Sequence, residues 1–224
     1  MPTTIVGLSG NTMEVEPSRA ARAVLRPDDP GATGGWYKIN PTSGLMAAGL
    51  AANAPIFSWR NGNPATSGVC AIRRVRFSAG NGSTAFTAGQ CVFQLFRMTG
   101  VTASDTAGTL VLPGAGGKLK TAFPNSFMQA ANNCDIRISA TAAITAGTRT
   151  LDPNPCGLFV TGVQATIGWP ITSGKIDLLE QRGWEFPLIL AQNEGMELFA
   201  TVPATGTWQF DVEVLWAELP STQY

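Results

Sequence analysis

Histidine is missing from this sequence altogether. Its absence removes the commonest general base and the commonest metal ligand, and it rules out Ser-His-Asp and Cys-His arrangements. Charge is scarce too. Only 13% of the residues are Asp, Glu, Lys or Arg, against about 25% in an ordinary soluble domain. Lys and Arg total 15 and Asp and Glu total 15, so the formal net charge is zero. Nucleic acids and anionic membrane surfaces demand excess positive charge, so neither is expected as a partner. Near-zero net charge weakens self-repulsion and favours association. A subunit that covers much of itself with neighbours tolerates such a surface. No run of about 18 apolar residues occurs, which excludes a transmembrane helix. The N-terminal Met1-Pro2-Thr3-Thr4-Ile5-Val6-Gly7 lacks the basic region and apolar core of a signal peptide. A cytoplasmically made, soluble protein is expected.

None of the four cysteines, Cys70, Cys91, Cys134 and Cys156, stands in a C-x-x-C pair, so a zinc ribbon or redox motif is not expected. Midway between Cys70 and Cys91 lies Gly80-Asn81, a strong turn signal. A tight hairpin there would bring the two thiols face to face. Two readings stand: four small buried hydrophobes, or oxidised pairs such as Cys70–Cys91 and Cys134–Cys156.

What the chain does have is short alternating segments between turns. Thr207–Trp216 is the clearest, with Trp208, Phe210, Val212, Val214 and Trp216 on one face and Thr207, Gln209, Asp211 and Glu213 on the other. One wet face is the mark of an antiparallel sheet, so Asp211 and Glu213 read as solvated. Gly195–Val202 alternates as well, and Pro203-Ala204-Thr205-Gly206 predicts a C-terminal hairpin between the two. Further strands are expected at Ile56–Arg60, Cys70–Ser78, Cys91–Met98, Asp135–Ala140, Phe159–Val163, Lys175–Leu179 and Phe186–Ala191. A helical turn or two is expected only around Ser126–Asn132. Many short strands, frequent Gly and Pro and almost no helix predict an all-β protein, an antiparallel β-sandwich of jelly-roll-like form, over residues 36–224. Residues 1–35 are punctuated by Pro17, Pro27, Pro30, Gly31, Gly34 and Gly35, with β-like pieces around Met13–Glu16 and Ala21–Leu25. They read as an extended N-terminal arm that packs on a neighbour, or as a strand pair on the sheet edge. Phe86-Thr87-Ala88-Gly89, Ile144-Thr145-Ala146-Gly147 and the looser Met46-Ala47-Ala48-Gly49 look like one turn device used several times.

Chemistry is sparse. Gly114-Ala115-Gly116-Gly117-Lys118 fails as a phosphate cradle, because Leu119 stands where Ser or Thr is needed and Leu112 where a glycine is needed. Paired carboxylates could run glycoside hydrolysis, with Asp177, Glu180 and Glu185, or Glu194 with Glu197, as candidates, but no spacing singles out a pair. No catalytic, cofactor-binding or metal-binding residues are assigned, and the chain is read as non-enzymatic. Arg73, Arg74 and Arg76, with Arg97 on the next strand, form the densest basic patch. They could grip an acidic neighbour through bidentate carboxylate contacts, or lie on the sheet by their aliphatic stems. Trp59, Trp169 and Trp184 sit near turns or strand ends, where they could bind sugar or a partner, or pack into the core or its rim.

Several stretches carry a resemblance. They include Ile5-Val6-Gly7 to Arg26-Pro27, Met46-Ala47-Ala48-Gly49 to Ala54-Pro55-Ile56-Phe57, Ile72-Arg73-Arg74-Val75-Arg76 and Phe86-Thr87-Ala88-Gly89. Ile144 to Leu151, Pro187 to Gly195 and Val202-Pro203-Ala204-Thr205-Gly206-Thr207-Trp208 continue it. In this order the chain resembles tailed-bacteriophage virion structural proteins of about this length, often carried among head genes. The resemblance implies a virion component made in the host cytoplasm. Its first form is a capsid decoration or cement protein on the capsid surface, bound to the major capsid protein and to copies of itself, as a trimer by symmetry. Its alternative is a head-fibre or tail-associated module that binds a receptor or glycan. A third form is an enzyme acting on cell-wall glycan through residues such as Asp177 and Glu185.

Overall fold

The computed structural model describes residues 3–6, 12–15, 34–47, 50, 53–63, 68–113, 117–129, 132–167, 170–181 and 187–219, the first two stretches as backbone only. Its strands are β1 (Thr3–Val6), β2 (Thr12–Val15), β3 (Gly35–Ile39), β4 (Met46–Ala47), β5 (Ala54–Asn61), β6 (Val69–Asn81), β7 (Gly89–Thr99) and β8 (Thr109–Leu110). They continue as β9 (Asp135–Ile138), β10 (Thr150–Leu151), β11 (Gly157–Val163), β12 (Ile176–Glu180), β13 (Leu188–Leu190), β14 (Glu194–Thr201) and β15 (Thr207–Leu219). No α-helix occurs among the described residues. Each strand expected from alternation is present, the described part of 186–191 included. The short β3, β4, β8 and β10 carry too little pattern to be seen in advance.

Two antiparallel sheets pack face to face as a β-sandwich. One runs β12-β6-β15-β3, with β13 beside β6 and β4 beside β15; the other runs β10-β7-β14-β5-β9-β8, with β11 beside β7. Between them the inward residues of β15 (Trp208, Phe210, Val212, Val214, Trp216) meet Phe93, Leu95, Leu198 and Trp59 from the opposite sheet, all buried. Rings stack through the centre: Phe77 lies 4.4 Å from Phe93, and Trp216 makes an edge contact with Trp59 at 6.1 Å. β1 and β2 pair with each other, Thr3 opposite Val15. The first expected β piece of the arm falls on β2, and Ala21–Leu25 lies outside the described residues.

Neither the expected C-terminal hairpin nor the tight hairpin considered at Gly80-Asn81 forms. β14 and β15 lie in different sheets, so Pro203-Ala204-Thr205-Gly206 arches across the sandwich. Gly206, at φ +112°, makes the bend, and a side chain there would strike Ala85 O and the Phe86 ring. Likewise β6 continues through Gly80 to Asn81 and the chain crosses to β7 in the other sheet. Cys70 therefore faces Glu218 and Leu190 across the ladder, and Cys91 faces Thr161. All four thiols are free: Cys70, Cys91 and Cys134 are buried, and Cys156 is exposed. Alternation tells each strand which face to bury, and opposed sheets satisfy that demand as well as a hairpin does.

Of the helical turn expected around Ser126–Asn132, a 3₁₀ turn remains at its end, where Asn132 N donates to Gln129 O at 2.9 Å, and a clamp holds its start. Glu218, 4% exposed, accepts hydrogen bonds from Ser126 Oγ (2.5 Å), Phe127 N (2.9 Å) and Trp216 Nε1 (3.0 Å). Residues 126–129 are not helical, and residues 130–131 lie outside the described set. The repeated turn device has a common role. Its leading apolar residue is a buried plug each time: Phe86, Ile144 and Met46 are at most 3% exposed.

Candidate functional site

The basic residues of β6 point outward from the six-stranded sheet. A β-bulge at Arg73 breaks the ladder, so Leu215 faces Arg74 while Trp216 faces Ile72. The expected patch is not a free one. Arg74 donates to Glu213 Oε1 at 2.8 Å and Arg76 to Asp177 Oδ1 at 2.6 Å. Arg73 lies 5.4 Å above the Trp36 ring. Arg97 stands on β7 in the other sheet, donating to Glu194 at 2.7 Å. Sequence spacing joined these residues because a hairpin would have set β6 beside β7; the inter-sheet crossing parts them.

Glu213 is not solvated but 4% exposed, ringed by Lys38 (3.0 Å), Arg74 (2.8 Å) and Lys175 (3.2 Å). Burial pushes its carboxyl up, but the three cations together outweigh that and hold it down at about 2. Lys175 also reaches Asp211 at 3.1 Å, and Asp211 accepts a short bond from Ser78. This network laces β3, β6 and β15 to the segment entering β12.

Trp59 is fully buried against Trp216 and is a core residue, because its position on β5 faces inward. Trp169 and Trp184 lie outside the described residues, as does Glu185. Of the carboxylates weighed for hydrolysis, Asp177 and Glu194 are held by arginines of this chain. Glu197 is held deeper. It stands on the outer face of β14 with no exposed surface, and two N–H groups of Arg149 bind its Oε2 while Oε1 has no partner. Burial, with a smaller push from Asp105, raises its carboxyl to about 7 against the pull of Arg149. Asp105 accepts Gly147 N at 2.6 Å, so this cluster fastens the long 101–149 excursion onto the sheet.

The surface feature that sequence reasoning missed lies on β11, an outer strand of the seven-stranded sheet. Leu158 and Val160 point outward and are 58% and 44% exposed; Ile167, just past the strand, is 65% exposed. Beside them in the ladder Val160 faces Val92, and Phe96 and Phe199 meet edge-on at 5.5 Å on the same outer face. The available signal is Leu158-Phe159-Val160, which places apolar side chains on both faces of one strand. Compared with protein-family models and with curated proteins, the chain matches none.

Proposed function

We propose that this chain is a non-enzymatic structural subunit of a tailed-phage virion, a decoration or cement protein that binds the major capsid protein on the capsid surface. Copies associate as a homo-oligomer, with a trimer the form that a capsid symmetry axis favours. A jelly-roll-like winding and an arm of residues 1–35 reaching onto neighbours belong to the same reading. The observation that carries it is the outward apolar pair Leu158 and Val160 on β11, with Ile167 also exposed beyond the strand, on a surface poor in charge. Exposed apolar side chains in a row mark a contact with another protein. Each is already about half-buried, so covering the rest returns about 1 kcal/mol apiece. The described arginines other than Arg60 already spend their charge inside the chain or on Trp36, which suits an interface built on apolar contact and shape.

Quantitative mass spectrometry of purified particles tests the location. Hundreds of copies per particle are expected, whereas a handful would move the protein to a fibre or tail. Leu158→Asp with Val160→Asp should leave a folded protein that no longer adds to capsids. Undiminished capsid binding by that variant would refute the role of the pair.

A further inference from the structure

At one end of the seven-stranded sheet, where β5 ends and β9 begins, the surface opens into a pocket of about 380 Å³. That volume suits a ligand of monosaccharide size, near the lower end of small-molecule sites. Gly62 lets the walls close in, since a side chain there would collide with the Asn133 carbonyl. The lining is polar: Arg60, Arg137 and Asp135 supply charge, and Asn133, Gln192 and Asn193 supply amides. No aromatic ring is among its lining residues, so charge and hydrogen bonds, rather than ring stacking, set recognition.

Arg60 is the odd member of the described arginines. Arg74, Arg76, Arg97, Arg137 and Arg149 each hold a carboxylate, and Arg73 lies over Trp36. Among the described residues Arg60 has only neutral partners: Ser104 Oγ at 2.7 Å and Asn193 Oδ1 at a long 3.5 Å. Its Nε is buried without an acceptor. Directly across the ladder stands Asp135. This carboxylate is 8% exposed and receives Arg137 Nε on Oδ2 at 2.9 Å, while its Oδ1 has no donor. Two guanidiniums against one carboxylate leave a single net positive charge, and both an N–H and a carboxylate oxygen go unsatisfied beside it. A partly buried guanidinium without a counterion has a strong demand for a planar oxyanion. One net charge admits a monoanion, and Asp135 repels a dianion such as phosphate. The neighbouring amides of Asn133, Gln192 and Asn193 suit hydroxyl groups.

We infer that the pocket is a binding site for a hydroxylated monocarboxylate, an acidic sugar of the uronate type, with its carboxylate against Arg60 and its hydroxyls among Asn133, Gln192 and Asn193. The inference is independent of the assembly role above, since a capsid subunit and a fibre subunit could both carry the site; failure here leaves that reading standing.

The test is a titration of the full chain with D-glucuronate, followed by amide chemical shifts, with D-glucose and inorganic phosphate as comparisons. Saturable shifts at Gly62, Ser104, Asn133 and Asn193 are expected with glucuronate, none with glucose, and weaker ones with phosphate. Arg60→Gln should weaken glucuronate binding by at least about 10-fold with an unchanged melting temperature. If that variant is poorly folded, Arg60→Lys, which keeps the charge and loses the fork, should still weaken binding. The inference is overturned by no saturable shift up to tens of millimolar glucuronate, by glucose or phosphate binding as tightly, or by unchanged affinity in a folded Arg60 variant.

Discussion

Replacing Arg149 with methionine keeps most of the side-chain volume and removes the only cation bound to Glu197 among the described residues. Both partners are shielded: the Glu197 side chain has no exposed surface and that of Arg149 is 9% exposed. Removing one partner of a buried pair strands the other charge, at a cost of about 3–5 kcal/mol. That is a large share of the roughly 5–15 kcal/mol that holds a domain together. The cost depends on pH, because Glu197 can escape by binding a proton. Its carboxyl is already raised from 4.5 to about 7 in the intact protein, and loss of Arg149 raises it further. A folded value above the unfolded one means stability fully present below about 4.5 and lost as pH rises through about 7. For the intact protein that loss is at most about 3.5 kcal/mol, from about 1.4 kcal/mol per pH unit. In Arg149→Met only the lost hydrogen bonds should count at about pH 5, about 1 kcal/mol, and at about pH 8 the penalty should be larger by up to about 1.4 kcal/mol, rising further with pH until Glu197 of the variant ionises. Urea midpoints at constant slope, for both proteins at both pH values, measure the difference. Glu213 does not interfere, since its carboxyl is held at about 2 and its contribution is lost only as pH falls from about 4.5 toward that value. A penalty equal at the two pH values would refute the account of Glu197 as a buried carboxyl balanced between burial and Arg149.

Two further outcomes follow from the core and the thiols. Trp59→Ala should destabilise the fold by about 3–5 kcal/mol, read by thermal melting; an unchanged melting temperature would return Trp59 to the surface role that its sequence position allowed. Under native conditions a thiol reagent should modify Cys156 alone, and slowly, because burial of its thiol pushes it up to about 11 and Sγ sits 3.3 Å from Leu95 O. Cys156→Ser should abolish that reaction, and rapid native labelling of Cys70, Cys91 or Cys134 would contradict the packing.

The functional surface was the least legible part of the sequence. Arg73, Arg74, Arg76 and Arg97 stood out because they are dense in a charge-poor chain, yet ion pairs with Glu213, Asp177 and Glu194 take up three of them. Those partners lie tens to more than a hundred residues away, so no local pattern announces them. Arg60 drew no notice in the sequence for the same reason: what distinguishes it is the absence of a carboxylate partner among the described residues, and only folded contacts can reveal that.

By itself the sequence determined the class of fold, the place of each longer strand and the face each would bury. Trp208, Phe210, Val212, Val214 and Trp216 are inward because side chains alternate along a strand, a property of the strand alone. Which strands pair was decided only in three dimensions. β14 and β15, adjacent in the chain, went to opposite sheets, and β6 and β7 did the same. An arch and a hairpin bury the same apolar faces, so the choice rests on how distant strands fit across the core. The ion pairs of Glu213, the burial of Glu197 and the exposure of Leu158 and Val160 are properties of that arrangement.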